Sequence, residues 1–145
     1  MAFRFSLASV LSVRESIERR EELALQRVEM EVARVKQRIE ELTDELVKAG
    51  DAREKALQNS IPAYDLQSMD AQMNSALEAK QILLNTLQTL QQQRDTQMKV
   101  YQAAYNGRQV LTDLLEQKKI EFKQEQEHLQ QKRVDDIFAS RWQRN

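Results

Sequence analysis

The only histidine, His128, lies within two helical turns of Glu121, Glu125 and Glu127, and imidazole with carboxylates is a donor set that can hold a divalent cation. Metal binding needs those donors to converge, and on a densely charged helix they point into solvent instead. Adjacent acids at Glu40 and Glu41 and at Asp135 and Asp136 are the right residue types for general acid–base work. That work needs a cleft that shifts a pKa, which a thin helical molecule does not offer. The chain has no cysteine, and Gly50 and Gly107 are its only glycines, so it has no thiolate chemistry and no phosphate-cradling loop. These residues imply no catalysis, no metal and no cofactor. What remains for the chain to do is bind.

The elements that would position binding residues are unusually plain. Two Gly and one Pro in 145 residues leave almost no turn vocabulary, while 31% of residues are charged and 6% aromatic. Such a sequence forms few elements, with apolar residues gathered into stripes rather than a compact core. The net charge is −1, with 11 basic and 12 acidic residues before position 61 and 11 of each after it. Interleaved signs argue against nucleic acid, which selects a one-sign basic surface. No run of eighteen apolar residues is present, so no transmembrane segment is expected. The opening "MAFRFSLASVLSVRES" is mildly signal-like, but Arg and Ser interrupt it and no small-residue cleavage site follows. With no cysteine to require an oxidising compartment, the cytoplasm is the default location.

Leu25, Val28, Val32, Val35, Ile39, Leu42, Leu46 and Ala49 alternate in spacing of three and four, a heptad pattern. Its frame runs back to Leu11 and Leu7, predicting a helix over 3–58, about 80 Å long. "QNSIPAYD" breaks it, with a turn over 59–62. A second frame runs through Leu66, Met69, Met73, Leu83, Leu87, Leu90, Leu111, Leu115 and Phe122 and predicts a longer helix over 63–140 that passes through Gly107. A short turn makes the helices antiparallel. Pairing residues whose numbers sum to 122 then matches apolar with apolar in both frames, for example Leu46 with Ala76, Val32 with Leu90 and Leu11 with Leu111. The predicted fold is all-α: one domain, a long antiparallel two-helix coiled coil.

Part of the seam is polar. Arg14, Glu18 and Glu21 face Arg108, Ala104 and Tyr101, either to fix register or to soften the hairpin for a partner. Beside them Val10, Ile17 and Ala24 form a second apolar line that the hairpin alone does not bury. The pairing also sets residue 3 beside residue 119, leaving 119–145 as an overhanging tail. Phe122 and Leu129 continue the seam into it, and Val134, Ile137, Phe138 and Trp142 follow, flanked by Lys132, Arg133, Arg141 and Arg144. A series of large apolar residues on an unpaired helix is expected to insert into a partner.

The opening "FRFSLASVLSVRE" (3–15) and closing "KRVDDIFASR" (132–141) resemble the two ends of the FliJ family of bacterial flagellar export proteins. Phe5, Leu7, Leu11, Arg14 and Glu15 match the first pattern. Lys132, Val134, Asp135, Asp136, Ile137, Ala139 and Arg141 match the second, with Asp136 where the family has Glu and Phe138 inserted before the Ala. The resemblance implies a non-enzymatic component of the type III export apparatus. It implies, too, joined termini that enter the hexameric export ATPase, a hairpin end that reaches the export gate, and a part in handling export chaperones at the inner face of the cell membrane. Phe5, Leu7, Leu11, Arg14, Glu15, Phe122, Leu129, Asp135, Asp136, Ile137, Phe138 and Arg141 are then candidates for the ATPase. By their place in the hairpin, Leu42, Leu46, Met69, Met73 and Leu77 are candidates for the gate.

Other readings of the residues stay open. A rotary ATPase stalk shares the architecture but would be longer. A cytoplasmic holdase should have an apolar hairpin tip, whereas "GDAREKALQNS" is mostly polar. A structural coiled coil would self-associate and bury Phe122 and Leu129.

Overall fold

The computed structural model describes residues 2–144, with Arg144 described in its backbone only. Two helices make the fold, α1 (Ala8–Gln58) and the longer α2 (Ala63–Arg144), joined as a helical hairpin. The described residues contain no strand. Both helices contribute to each of two compact units, one of Glu21–Tyr101 and one of Met1–Arg20 with Gln102–Asn145.

In the unit Glu21–Tyr101 the heptad pattern is the core. Leu25, Val32, Leu42 and Leu90 are buried, and the residues between them in the two frames, such as Val28, Val35, Ile39, Leu83 and Leu87, are half-buried. Leu46, Ala49, Met73 and Ala76 line one cleft, in keeping with the pairing of Leu46 with Ala76 and Ala49 with Met73. Arg53 donates from Nε to Asp70 Oδ1 at 2.6 Å, fixing the register near the turn. α1 ends with Asn59 N–H bonded to the carbonyls of Lys55 and Ala56 at 3.2 Å. Ser60 then takes a left-handed backbone (φ 53°), a conformation that L-residues with a Cβ disfavour. Pro62 stands just before α2 and has no N–H to leave unpaired. Its carbonyl accepts from Asp65 and Leu66.

In the other unit α1 begins at Ala8, although the seam frame extends back to residue 3. The segment before it alternates: Phe3, Phe5 and Leu7 are half-buried, and Ala2, Arg4 and Ser6 are exposed. A two-residue period belongs to extended chain, in which successive side chains point to opposite sides. As a helix the same residues would scatter around the axis. The Ala8 N–H closes a turn onto the Phe5 carbonyl at 3.1 Å, and Leu11 N–H bonds Leu7 O at 2.9 Å. Extended chain advances roughly 3.3 Å per residue against 1.5 Å in a helix. Phe3 therefore passes position 119 and meets Phe122, edge to face, with ring centroids 5.5 Å apart.

Candidate partner-binding surfaces

In the polar seam Arg108 does not pair with the residue opposite it. A sum of 122 sets Arg14 opposite Arg108, two like charges. Arg108 instead reaches one turn along to Glu18, donating from Nε to Oε2 at 2.6 Å and from Nη2 to Oε1 at 3.2 Å. Both side chains are largely covered, at 18% and 16% exposure. Arg108 also lies 5.0 Å from the Tyr105 ring centre. The hydrogen bond that Arg108 donates to Glu18 leads the causes that raise the Arg108 pKa above its usual value, against an opposing cost of burial. A planar guanidinium bound through two nitrogens sets distance and angle at once. The Arg14 guanidinium meanwhile lies 3.4 Å from where a Cβ on Gly107 would stand. In the unit Glu21–Tyr101, Gln97 similarly reaches Glu21, donating to its carboxylate at 2.7 Å and its backbone carbonyl at 3.1 Å. Every polar atom buried among the described side chains has a partner.

The residues singled out for an ATPase divide into two groups. Phe5, Leu7 and Phe122 are half-buried and Leu11 is buried; they close Met1–Arg20 onto α2. An open cleft of about 480 Å³ remains there, lined by Phe3, Phe5, Leu7, Leu114 and Phe122 with Lys118, Glu121 and Glu125 among its charged rim. Arg14, Glu15, Leu129, Asp135, Asp136, Ile137, Phe138 and Arg141 are exposed. From residue 127 through 143 every residue is exposed, including Phe138 at 68% and Trp142 at 85%. At about 100° per residue, Val134, Ile137, Phe138 and Trp142 share one stripe, rotated by well over 100° on average from the line through Phe122 and Leu129. The tail thus does not prolong the seam; it presents a different face.

The residues singled out for a gate also divide. Leu42 is buried at 4% exposure and Leu46, Met69 and Met73 are half-buried, while Leu77 is exposed. Sequence reasoning passed over Val13, Val110, Tyr64, Ile82 and Ile120, all exposed. Val13 and Val110 could have been found, since each directly precedes a seam position. Around His128 no group of three His, Cys, Asp or Glu side chains comes together, nor does one elsewhere among the described residues. No described helix is long and apolar enough to cross a membrane.

The family model for the flagellar FliJ protein matches residues 3–145. The chain belongs to the FliJ family. Both terminal segments fall within the match, so the extended N-terminal clasp and the exposed helical tail are parts of the family domain rather than additions to it. Membership makes the chain a component of the flagellar export apparatus, in a family that is not catalytic. No curated protein and no solved structure matches it.

Proposed function

We propose that this chain is the stalk and adaptor of the flagellar export machine. It binds the hexameric export ATPase through its terminal segments, promotes ring assembly, and couples the ring to the export gate and to export chaperones. It works in the cytoplasm, held at the inner face of the membrane by the apparatus and not by a span of its own. The observation that carries this reading is the exposed stripe of Val134, Ile137, Phe138 and Trp142 on a helix whose apolar seam residues are covered from Leu66 to Phe122. Large aromatic side chains on a regular helix make low-entropy anchors for a pocketed partner. Arg14, Glu15, Asp135, Asp136 and Arg141 are the exposed charges that orient it, and Phe5, Leu7, Leu11 and Phe122 hold the N-terminal segment beside it. Toward the gate, Leu77 makes direct contact, and Leu42, Leu46, Met69 and Met73 shape the hairpin that presents it.

The test mixes the full chain, or a chain ending at residue 126, with the export ATPase and measures ring formation and ATP turnover. Ending at 126 keeps Phe122 against Phe3. The full chain should stimulate both and the shortened chain neither. Absence of stimulation by the full chain would contradict the reading; equal stimulation by the shortened chain would contradict the role of the tail.

A further inference from the structure

In the unit Met1–Arg20 with Gln102–Asn145, the seam is only half apolar. Its positions are Leu7, Leu11, Arg14 and Glu18 on α1 and its approach, and Ala104, Arg108, Leu111 and Leu115 on α2. Leucines close the two rungs nearer the N-terminus, and charged residues occupy the next two. Of these eight side chains only that of Leu11 is buried. Beyond them the Phe3 ring adds one edge-to-face contact on Phe122. With so little covered apolar surface, closure of this unit depends on how its charges are held.

Arg14 and Arg108 share a rung, and the Arg14 guanidinium reaches across to within 3.4 Å of where a Cβ on Gly107 would stand. Two cations therefore meet on α2 at neighbouring residues. Glu18 is the anion between the helices: its carboxylate accepts from Arg108 Nε at 2.6 Å and from Nη2 at 3.2 Å, and it stands one turn from Arg14 on the same face of α1. The pair is largely covered, whereas Arg53 and Asp70 near the turn keep 36% and 44% of their side chains in solvent. Taking one partner from a covered pair leaves a charge with no counter-charge, which costs far more than the same change in an exposed pair. We propose that this unit is a latch. It opens by itself in one cooperative step, residues 2–20 leaving α2, and the Glu18–Arg108 pair sets how often it does so. The closed form leaves Leu129 exposed and keeps Leu111, Leu115 and Phe122 half-covered; the open form bares all four as one line on α2. The unit Glu21–Tyr101, with Leu25, Val32, Leu42 and Leu90 buried, stays closed meanwhile.

Native-state amide hydrogen exchange of the full chain tests the latch. Amides of 10–18 and of 104–115 should share one opening, with one denaturant dependence, and exchange at least about tenfold faster than those of 28–47. Glu18→Gln should speed both groups by a further factor of about ten, a covered arginine having lost its anion. The same change should leave 28–47 within about twofold, since those residues share no partner with Glu18, and should leave the helical circular dichroism unaltered. Glu116→Gln removes an exposed charge from the same unit and should move neither group by more than about twofold. Reversing the pair, Glu18→Arg with Arg108→Glu, should restore protection, because one anion again stands between two cations. Equal protection from 10 to 47 overturns the separate opening. Protection that falls smoothly toward residue 8, with no shared step, is fraying of a helix end and overturns it as well. A Glu18→Gln chain that exchanges like the unmodified one, or a reversed pair that stays unprotected, overturns the role of Glu18 and Arg108. The ATPase takes no part in these measurements, so the latch and the proposed function fail separately.

Discussion

Glu21–Tyr101 and the terminal unit are built from the same two helices and the same vocabulary of Leu, Val, Glu, Arg and Gln, yet they use it differently. The first supplies most of the buried core, Leu25, Val32, Leu42 and Leu90, against Leu11 alone in the second. The second carries the Glu18–Arg108 pair, the Phe3–Phe122 clasp and the bare stripe ending at Trp142. A heptad pattern whose two halves answer each other is complete by itself. One whose apolar residues change face partway along leaves them bare.

Substitutions can break or sharpen that contrast. The largest effect is expected for Leu42→Ala, which should lower unfolding free energy by about 2–4 kcal/mol, since it opens a cavity in the buried seam; thermal denaturation measures it. Arg108→Ala should come next, lowering the melting temperature clearly more than Arg38→Ala. Arg38 reaches only Glu41 and Glu45 on its own helix face with half its side chain in solvent, where such pairs contribute at most about 0.5 kcal/mol. The raised Arg108 pKa gives the sign of the pH dependence. The contribution of the arginine charge is present throughout neutral pH and fades as alkali begins to remove its proton, so the gap between these variants should be constant from pH 6 to 8.

Two changes should stabilise, and both lie in the unit Glu21–Tyr101. Ser60→Gly relieves the left-handed backbone, and Gly50→Ala adds a methyl to a helix position with nothing within 4 Å of it. Each should raise stability by about 0.5–1 kcal/mol in denaturant titration. The smallest effect is expected for Ile137→Ala, within about 0.5 kcal/mol, because an exposed tail residue has little folded-state contact to lose. A large loss there, in a chain kept monomeric, would erase the contrast between the units.

The hairpin was legible because two frames read separately agreed on one register, and apolar alternation of three and four has few other solutions. The candidate surface was legible only in part. Phe3, Phe5 and Leu7 were absorbed into the heptad frame because Leu7 fits it, although their spacing of two is the mark of extended chain. The tail was read as a continued seam because Phe122 and Leu129 lie seven apart; the next step lands on Asp136, and the apolar residues beyond it occupy another face. Arg108 could not be placed from spacing, because a long side chain avoids a like-charged neighbour by reaching to the next turn. Phe138, extra to the family pattern, became intelligible once Val134, Ile137 and Trp142 were seen on its side of the helix.

Amide hydrogen exchange, at a dilution where the chain is monomeric, tests most directly whether the tail is a surface awaiting a partner. Amides in the seam from Leu25 to Leu90 should exchange slowly with or without the export ATPase, whereas those of 127–143 should exchange fast alone and slow on its addition. Tail amides that stay fast with the ATPase present would contradict the account.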